Sequence, residues 1–220
     1  MAYPSVYPTG TTIYYPDKCF NGYTVFPAND EGSVLVDMNG NTIKHIKALH
    51  GFPVKVLPGG YFMGSTGERD SKYGYQDMLD LVQMDFNEKI FWKFNKYELI
   101  KDGQQKPKWM ARQHHDYQRE GNPVGYYAPG MEPKTKSGNT LILCHKNVKN
   151  SKISEHPILD DTIIETTWDG KIVLEWICSD HFDEMGFGEE AKNILARNPN
   201  MLTRGIFVRN RFEHLRLDAH

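Results

Sequence analysis

Three segments of the chain share one alternation of apolar and polar positions. Val34-Leu35-Val36-Asp37-Met38-Asn39-Gly40, Leu81-Val82-Gln83-Met84-Asp85-Phe86-Asn87-Glu88-Lys89-Ile90 and Ile163-Ile164-Glu165-Thr166-Thr167-Trp168-Asp169-Gly170-Lys171-Ile172 each run from an apolar strand through a polar turn into a second strand. That is the grammar of a β-hairpin. Asn39-Gly40 and Asp169-Gly170 tolerate φ > 0, so two-residue type I′ turns are predicted there. Bulky residues close the outgoing strands in Phe91-Trp92-Lys93-Phe94 and Val173-Leu174-Glu175-Trp176.

Between the hairpins lies a second repeated element. HGFPVKVLPGGYFMGS at 50–65 reads as a histidine, a short strand, a Gly turn and another strand, and HHDYQ at 114–118 with SGNTLILCHKN at 137–147 repeats the order. The spacing from Asp37 to Asp85 is 48 residues and from Asp85 to Thr167 is 82. Two inserts account for the lost period, YELIKDGQQKPKW at 97–109 and REGNPVGYYAPGMEPKT at 119–135, both polar and rich in Pro, Gly and Lys as surface loops are. Four strands per ~45-residue unit predict an all-β fold, a β-propeller of four-stranded blades whose innermost strands line a channel. His50 and the His114-His115 pair would then open innermost strands and face the axis. A β-sandwich with two irregular hairpins is the alternative. The strand grammar ends near Ser179, and the spacing of Glu189, Ala191, Ile194 and Leu195 before Pro199 predicts a helical insert over about 182–198. The chain divides into amino-terminal strands at 1–28, first repeats at 29–96, a repeat carrying both inserts at 97–178, and the helical insert with the start of another unit at 179–220.

Composition narrows the function classes. The 220 residues carry 26 basic and 28 acidic side chains for a net charge of −2, without the basic excess that nucleic-acid binding favours. Eleven Phe, 12 Tyr and 4 Trp with 19 Gly suit short strands and tight turns. MAYPSVYPTGTTIYYP has neither a basic n-region nor an apolar h-region, and no run of 18 apolar residues occurs, so a cytoplasmic protein without membrane association is expected. Cys19, Cys144 and Cys178 have no metal-ligand spacing and read as free thiols, two of them buried.

The candidate chemistry centres on His114-His115-Asp116. Two imidazoles and a carboxylate supply groups that titrate near neutral pH and suit proton transfer, nucleophilic attack or anion binding. The competing reading is that Asp116 caps a turn and the imidazole fills a core. On a strand His114 and His115 point to opposite faces, so only one of them reaches the axis. Arg112 would share a face with His114 and hold an oxyanion, or pair at the surface. His145 would complete a metal site with the trio, against which stands the divergence of adjacent strand residues. Asp160-Asp161 and Glu189-Glu190 read as solvated surface.

YPTGTTIYYPDKCFNGYTVF at 7–26, VLVDMNGNTI, HGFPVKVLPGG and WMARQHHDYQREGNPVGYY together resemble the amino-terminal part of the arylsulfotransferase family, the arylsulfate sulfotransferases that move a sulfuryl group between phenols. The resemblance implies a six-bladed β-propeller with an active site at the channel mouth, a transiently sulfated histidine, and no metal or nucleotide cofactor. It places His115, with His114 beside it, against the sulfuryl group. Asp116, Arg112 and His50 are the further candidate contacts, and Tyr126, Tyr127 and Trp109 are candidates to stack on the ring of an aryl sulfate donor or a phenolic acceptor. The family's later motifs, which carry its other histidines, its arginine and its nucleophile, have no counterpart in this chain. Rather more than two blades are legible, so the remaining blades are expected on a second chain, on a longer protein, or from a homo-oligomer. The alternative function is a non-catalytic propeller module that binds a ligand or a partner protein.

Overall fold

A computed structural model describes residues 11–28, 32–73, 77–121, 130–132 and 134–200. Tyr126 and Tyr127 lie outside the described residues. Among the described residues thirteen strands run in chain order: β1 (Tyr23–Pro27), β2 (Ser33–Asp37), β3 (Thr42–Ile46), β4 (Lys55–Leu57), β5 (Tyr61–Gly64), β6 (Leu81–Met84), β7 (Ile90–Phe94), β8 (Glu98–Ile100), β9 (Lys108–Met110), β10 (Gln113–Arg119), β11 (Thr140–Val148), β12 (Ile158–Thr166) and β13 (Ile172–Ile177). They form four antiparallel sheets, each joining strands consecutive in the chain: β1-β2-β3, β4-β5-β6-β7, β8-β9 and β10-β11-β12-β13. The protein is mostly β-structure. A 3-10 segment over Cys178–Met185 and a helix, α1 (Glu189–Arg197), occupy the region where a helical insert was expected. Among the described residues no helix is long and apolar enough to cross a membrane.

The three hairpins read from the alternation are β2-β3, β6-β7 and β12-β13. Their turns are not type I′. Each has a single left-handed residue, Gly40 (φ 81°), Glu88 (φ 65°) and Gly170 (φ 83°), whereas type I′ needs two. Each instead closes a turn whose last N–H returns to its first carbonyl, as from Gly40 to Asp37 and from Gly170 to Thr167, and the extra residue shifts the register as a bulge. The first side chain decides this. Asp37 Oδ1 accepts the N–H groups of Asn39 and Asn41, and Asp85 Oδ1 those of Asn87 and Lys89, at 2.8–3.0 Å, while Thr167 Oγ1 accepts that of Lys171 at 3.1 Å. The insert at 97–109 also departs from expectation, because its ends pair as β8-β9.

Two apolar clusters stack the sheets. Leu35 and Ile46 meet Phe62, Val82 and Met84 from one face of β4-β7, and Met63, Leu81, Trp92 and Phe94 from the other face meet Tyr117, Ile142, Cys144 and Ile164 of β10-β13. All four residues of β6 are buried, as both faces being covered requires. On β11 and β12 the alternation puts Ile142, Cys144, Thr162 and Ile164 inside and leaves Leu141, Asp161 and Ile163 outward. Cys144 is buried, Cys178 half-buried and Cys19 exposed, so one free thiol is buried where two were expected.

Candidate functional site

The outward face of β10-β11-β12 carries the ionisable cluster. His145 of β11 stands opposite Asp161 of β12 in the ladder, and Gln113 of β10 pairs with Cys144, after which β10 leaves the regular ladder and His114 lies over His145. The two rings stack with centroids 3.8 Å apart and planes 17° from parallel. His114 Nε2 lies 3.1 Å and His145 Nε2 3.8 Å from the same oxygen, Asp161 Oδ1.

The expected divergence of His114 and His115 does not occur. Between the pairs Gln113–Cys144 and Tyr117–Ile142 three residues of β10 oppose one of β11, and His115 adopts φ 55° within that bulge. A bulge bends the strand and re-aims its side chains. The Nδ1 atoms of His114 and His115 consequently sit 2.8 Å apart with the rings at 90°. His114 is buried and His115 exposed.

Beneath the rings lies a buried carboxylate that no motif announces. Asp77, fully shielded from solvent, bonds His145 Nδ1 through Oδ1. Its Oδ2 accepts from Arg69 Nη1 at 2.7 Å and from Arg112 Nε and Nη2 at 3.2 and 3.1 Å. Arg69 also forks onto Asp102 at 2.6 and 3.0 Å, and Arg112 Nη1 bonds Glu98. Backbone bonding registers the segment, because Met78 N–H donates to Gln113 O and Arg112 N–H to Met78 O. Burial opposes ionisation of Asp77, but His145 and the two guanidinium groups hold its carboxyl below the ordinary value. Arg112 is therefore neither at the surface nor free to hold an oxyanion; it is buried, at φ 53°, and spent on Asp77 and Glu98.

The remaining candidates are placed elsewhere. Asp116 is exposed and accepts from Tyr117 N–H at 2.7 Å and Lys55 Nζ at 2.5 Å. His50 is exposed and outside any strand, its N–H donating to Ser65 O; no hydrogen bond, ion pair or ring contact joins it to the cluster. Trp109 of β9 is exposed. Asp160 and Asp161 are not a solvated pair: Asp160 is buried and caps Ser179 N–H at 2.8 Å, and Asp161 faces the imidazoles, whose contact, first that of His114, holds its carboxyl below the ordinary range. Glu189 and Glu190 are exposed in the first turn of α1, as expected. Strand alternation over TLILCHKN would have placed His145 on the outward face, whereas nothing local in SKYGYQDML marks Asp77.

His114 Nε2 is buried and, among the described residues, makes no aligned hydrogen bond, lying 3.1 Å from Asp161 Oδ1. His145 is held by Asp77 at Nδ1, which leaves Nε2 as the outward atom. This is a carboxylate-oriented imidazole beside a second, strained pair, an arrangement suited to nucleophilic or acid–base chemistry. No family model matches the chain, and neither does any curated protein or solved structure.

Proposed function

We propose that this chain carries the histidine centre of a sulfuryl-transfer enzyme built on β-propeller blades, moving a sulfuryl group from an aryl sulfate to a phenol. The observation that carries the reading is the Asp77–His145 pair, a buried carboxylate bonded to Nδ1 with Nε2 facing outward next to His114. The blade architecture is supported by consecutive antiparallel sheets stacked in chain order.

Sulfuryl transfer asks for in-line positioning and stabilisation of charge on peripheral oxygens, as phosphoryl transfer does. With Nδ1–H directed at Asp77, the Nε2 lone pair of His145 attacks sulfur, the N–S bond forms, and the S–O bond to the aryl ring breaks to release phenolate. Phenolate is an adequate leaving group at a pKa of about 10. Asp77 stabilises the cationic imidazole that results, in the manner of an orienting carboxylate. In the second half-reaction a phenol gives its proton to His114 Nε2 as its oxygen attacks sulfur, the N–S bond breaks, and His114 passes the proton through Asp161 to solvent. His115, foremost in the sequence reading, serves in this scheme to hold His114 Nδ1.

Incubation with 4-nitrophenyl sulfate and phenol should release nitrophenolate, with His145→Ala and His114→Ala each reducing the rate at least a hundredfold. Release no faster than in buffer, or undiminished in the His145 variant, overturns the reading.

A further inference from the structure

One ring nitrogen of His114, one of His145 and an Asp161 carboxylate oxygen all lie within 4.8 Å of one another, and both Nε2 atoms approach Asp161 Oδ1, at 3.1 and 3.8 Å. We propose that they form a site for a divalent transition metal of the Zn²⁺ or Co²⁺ class, a property that goes beyond the transfer reaction.

Several features support it. The donors come from three neighbouring strands, β10, β11 and β12, so the ladder presents them together. The other nitrogen of each ring is engaged, His145 Nδ1 by Asp77 and His114 Nδ1 by His115 Nδ1. Metal-binding histidines are characteristically held that way, since an outer partner fixes the tautomer and turns the remaining lone pair toward the ion. Arg69 and Arg112 in turn hold the Asp77 carboxylate in place. His114 Nε2 is the decisive atom: in a side chain only 3% exposed it has, among the described residues, no aligned hydrogen bond and only the Asp161 carboxylate at 3.1 Å. A cation between it and Asp161 satisfies both groups.

Two imidazoles and a carboxylate suit borderline metals and leave further coordination positions open. Metal–ligand bonds of about 2.0–2.2 Å require the two stacked rings to tilt toward a common point. Asp161 can follow, its side chain being 61% exposed. The lone pairs used are those assigned above to transfer, so metal and sulfuryl group exclude one another.

Chelator-treated protein titrated with Zn²⁺ by calorimetry should bind one ion per chain, and Co²⁺ should give the intense visible bands of a four- or five-coordinate site. His145→Ala should weaken Zn²⁺ binding at least a hundredfold and Asp161→Asn at least tenfold, with circular dichroism confirming that both remain folded. Asp161 is an outward residue, which keeps that variant informative if His145→Ala unfolds. Absence of stoichiometric binding, or equal binding by the folded Asp161 variant, overturns the proposal. The titration uses no sulfate ester, so its failure leaves the transfer reading standing, and tight binding by a protein inactive on 4-nitrophenyl sulfate removes that reading alone.

Discussion

His114 and His115, adjacent in the chain, hold their Nδ1 atoms 2.8 Å apart on one side of β10. Extended backbone would send them to opposite faces. The left-handed turn at His115 makes the pairing possible, and for a residue with a Cβ that conformation costs roughly 1–2 kcal/mol. A strained, non-glycine residue beside a cluster of ionisable groups is where stability has been exchanged for geometry.

That exchange can be measured. His115→Gly is expected to stabilise the protein by about 1 kcal/mol, because glycine takes positive φ without penalty, while lowering nitrophenolate release. Urea unfolding and the transfer assay on the same preparation check it. A loss of stability would mean that the Nδ1 contact outweighs the backbone strain.

Asp77 is expected to contribute to the acid stability of the fold. Its folded pKa is below the unfolded value near ~3.9, so the stability it contributes is present above that value and is lost as pH falls through the lower, folded one. Asp77→Asn leaves Arg69, Arg112 and His145 without their common partner and should cost about 3–5 kcal/mol at neutral pH. Unfolding free energies measured at a series of pH values should fall less steeply below pH ~4 in the variant than in the parent. Parallel curves would show that the network does not control acid stability.

The turn glycines separate backbone strain from steric exclusion. At Gly170 a Cβ would meet only Phe94 Cδ2, at 4.0 Å, so Gly170→Ala should cost roughly 1–2 kcal/mol from φ alone. At Gly32 it would sit 2.5 Å from the carbonyl oxygen of Ile46, backbone that cannot yield without disturbing β3. Gly32→Ala should therefore be the more destabilising in thermal melts, and equal costs would refute the distinction.

Arg119 supplies a different test of the core. The buried guanidinium lies against the adjoining rings of Trp92 and Trp168, 4.4 and 4.7 Å from their centroids, and donates to Gln83 Oε1 at 3.2 Å. No carboxylate pairs with it among the described residues, and burial pushes its pKa down to about 10. A planar guanidinium packs against indole rings in a way an ammonium cannot. Arg119→Lys is expected to lose about 2 kcal/mol, which denaturant unfolding would report, and Trp168→Leu should make the two changes non-additive.

Much of the framework was legible from local chemistry. Apolar runs ending in polar turns identified β2, β6 and β12 together with their hairpins, and the TLILC run identified β11, because strand and turn signals lie in neighbouring residues. The run Glu189 to Pro199 likewise announced α1 through helical spacing and a stop signal. The turn type escaped because it was decided by the side chain before the turn, Asp37, Asp85 or Thr167, and not by the Asn-Gly or Asp-Gly pair.

The site was legible only in part. His114, His115 and His145 were visible as residues, and alternation would have placed His145 outward, but their meeting depended on a bulge that no residue type in QHHDYQ dictates. Asp161 looked like surface because its partners lie one and two strands away, and Asp77 looked like any loop acid, its burial being permitted only by Arg69 and Arg112 brought from other segments. Strand period and helix spacing are set by neighbours along the chain, so the sequence alone determined those elements. Charge burial and ring contact are set by neighbours across it, and only the tertiary structure decided which of the chain's histidines and acids form a site.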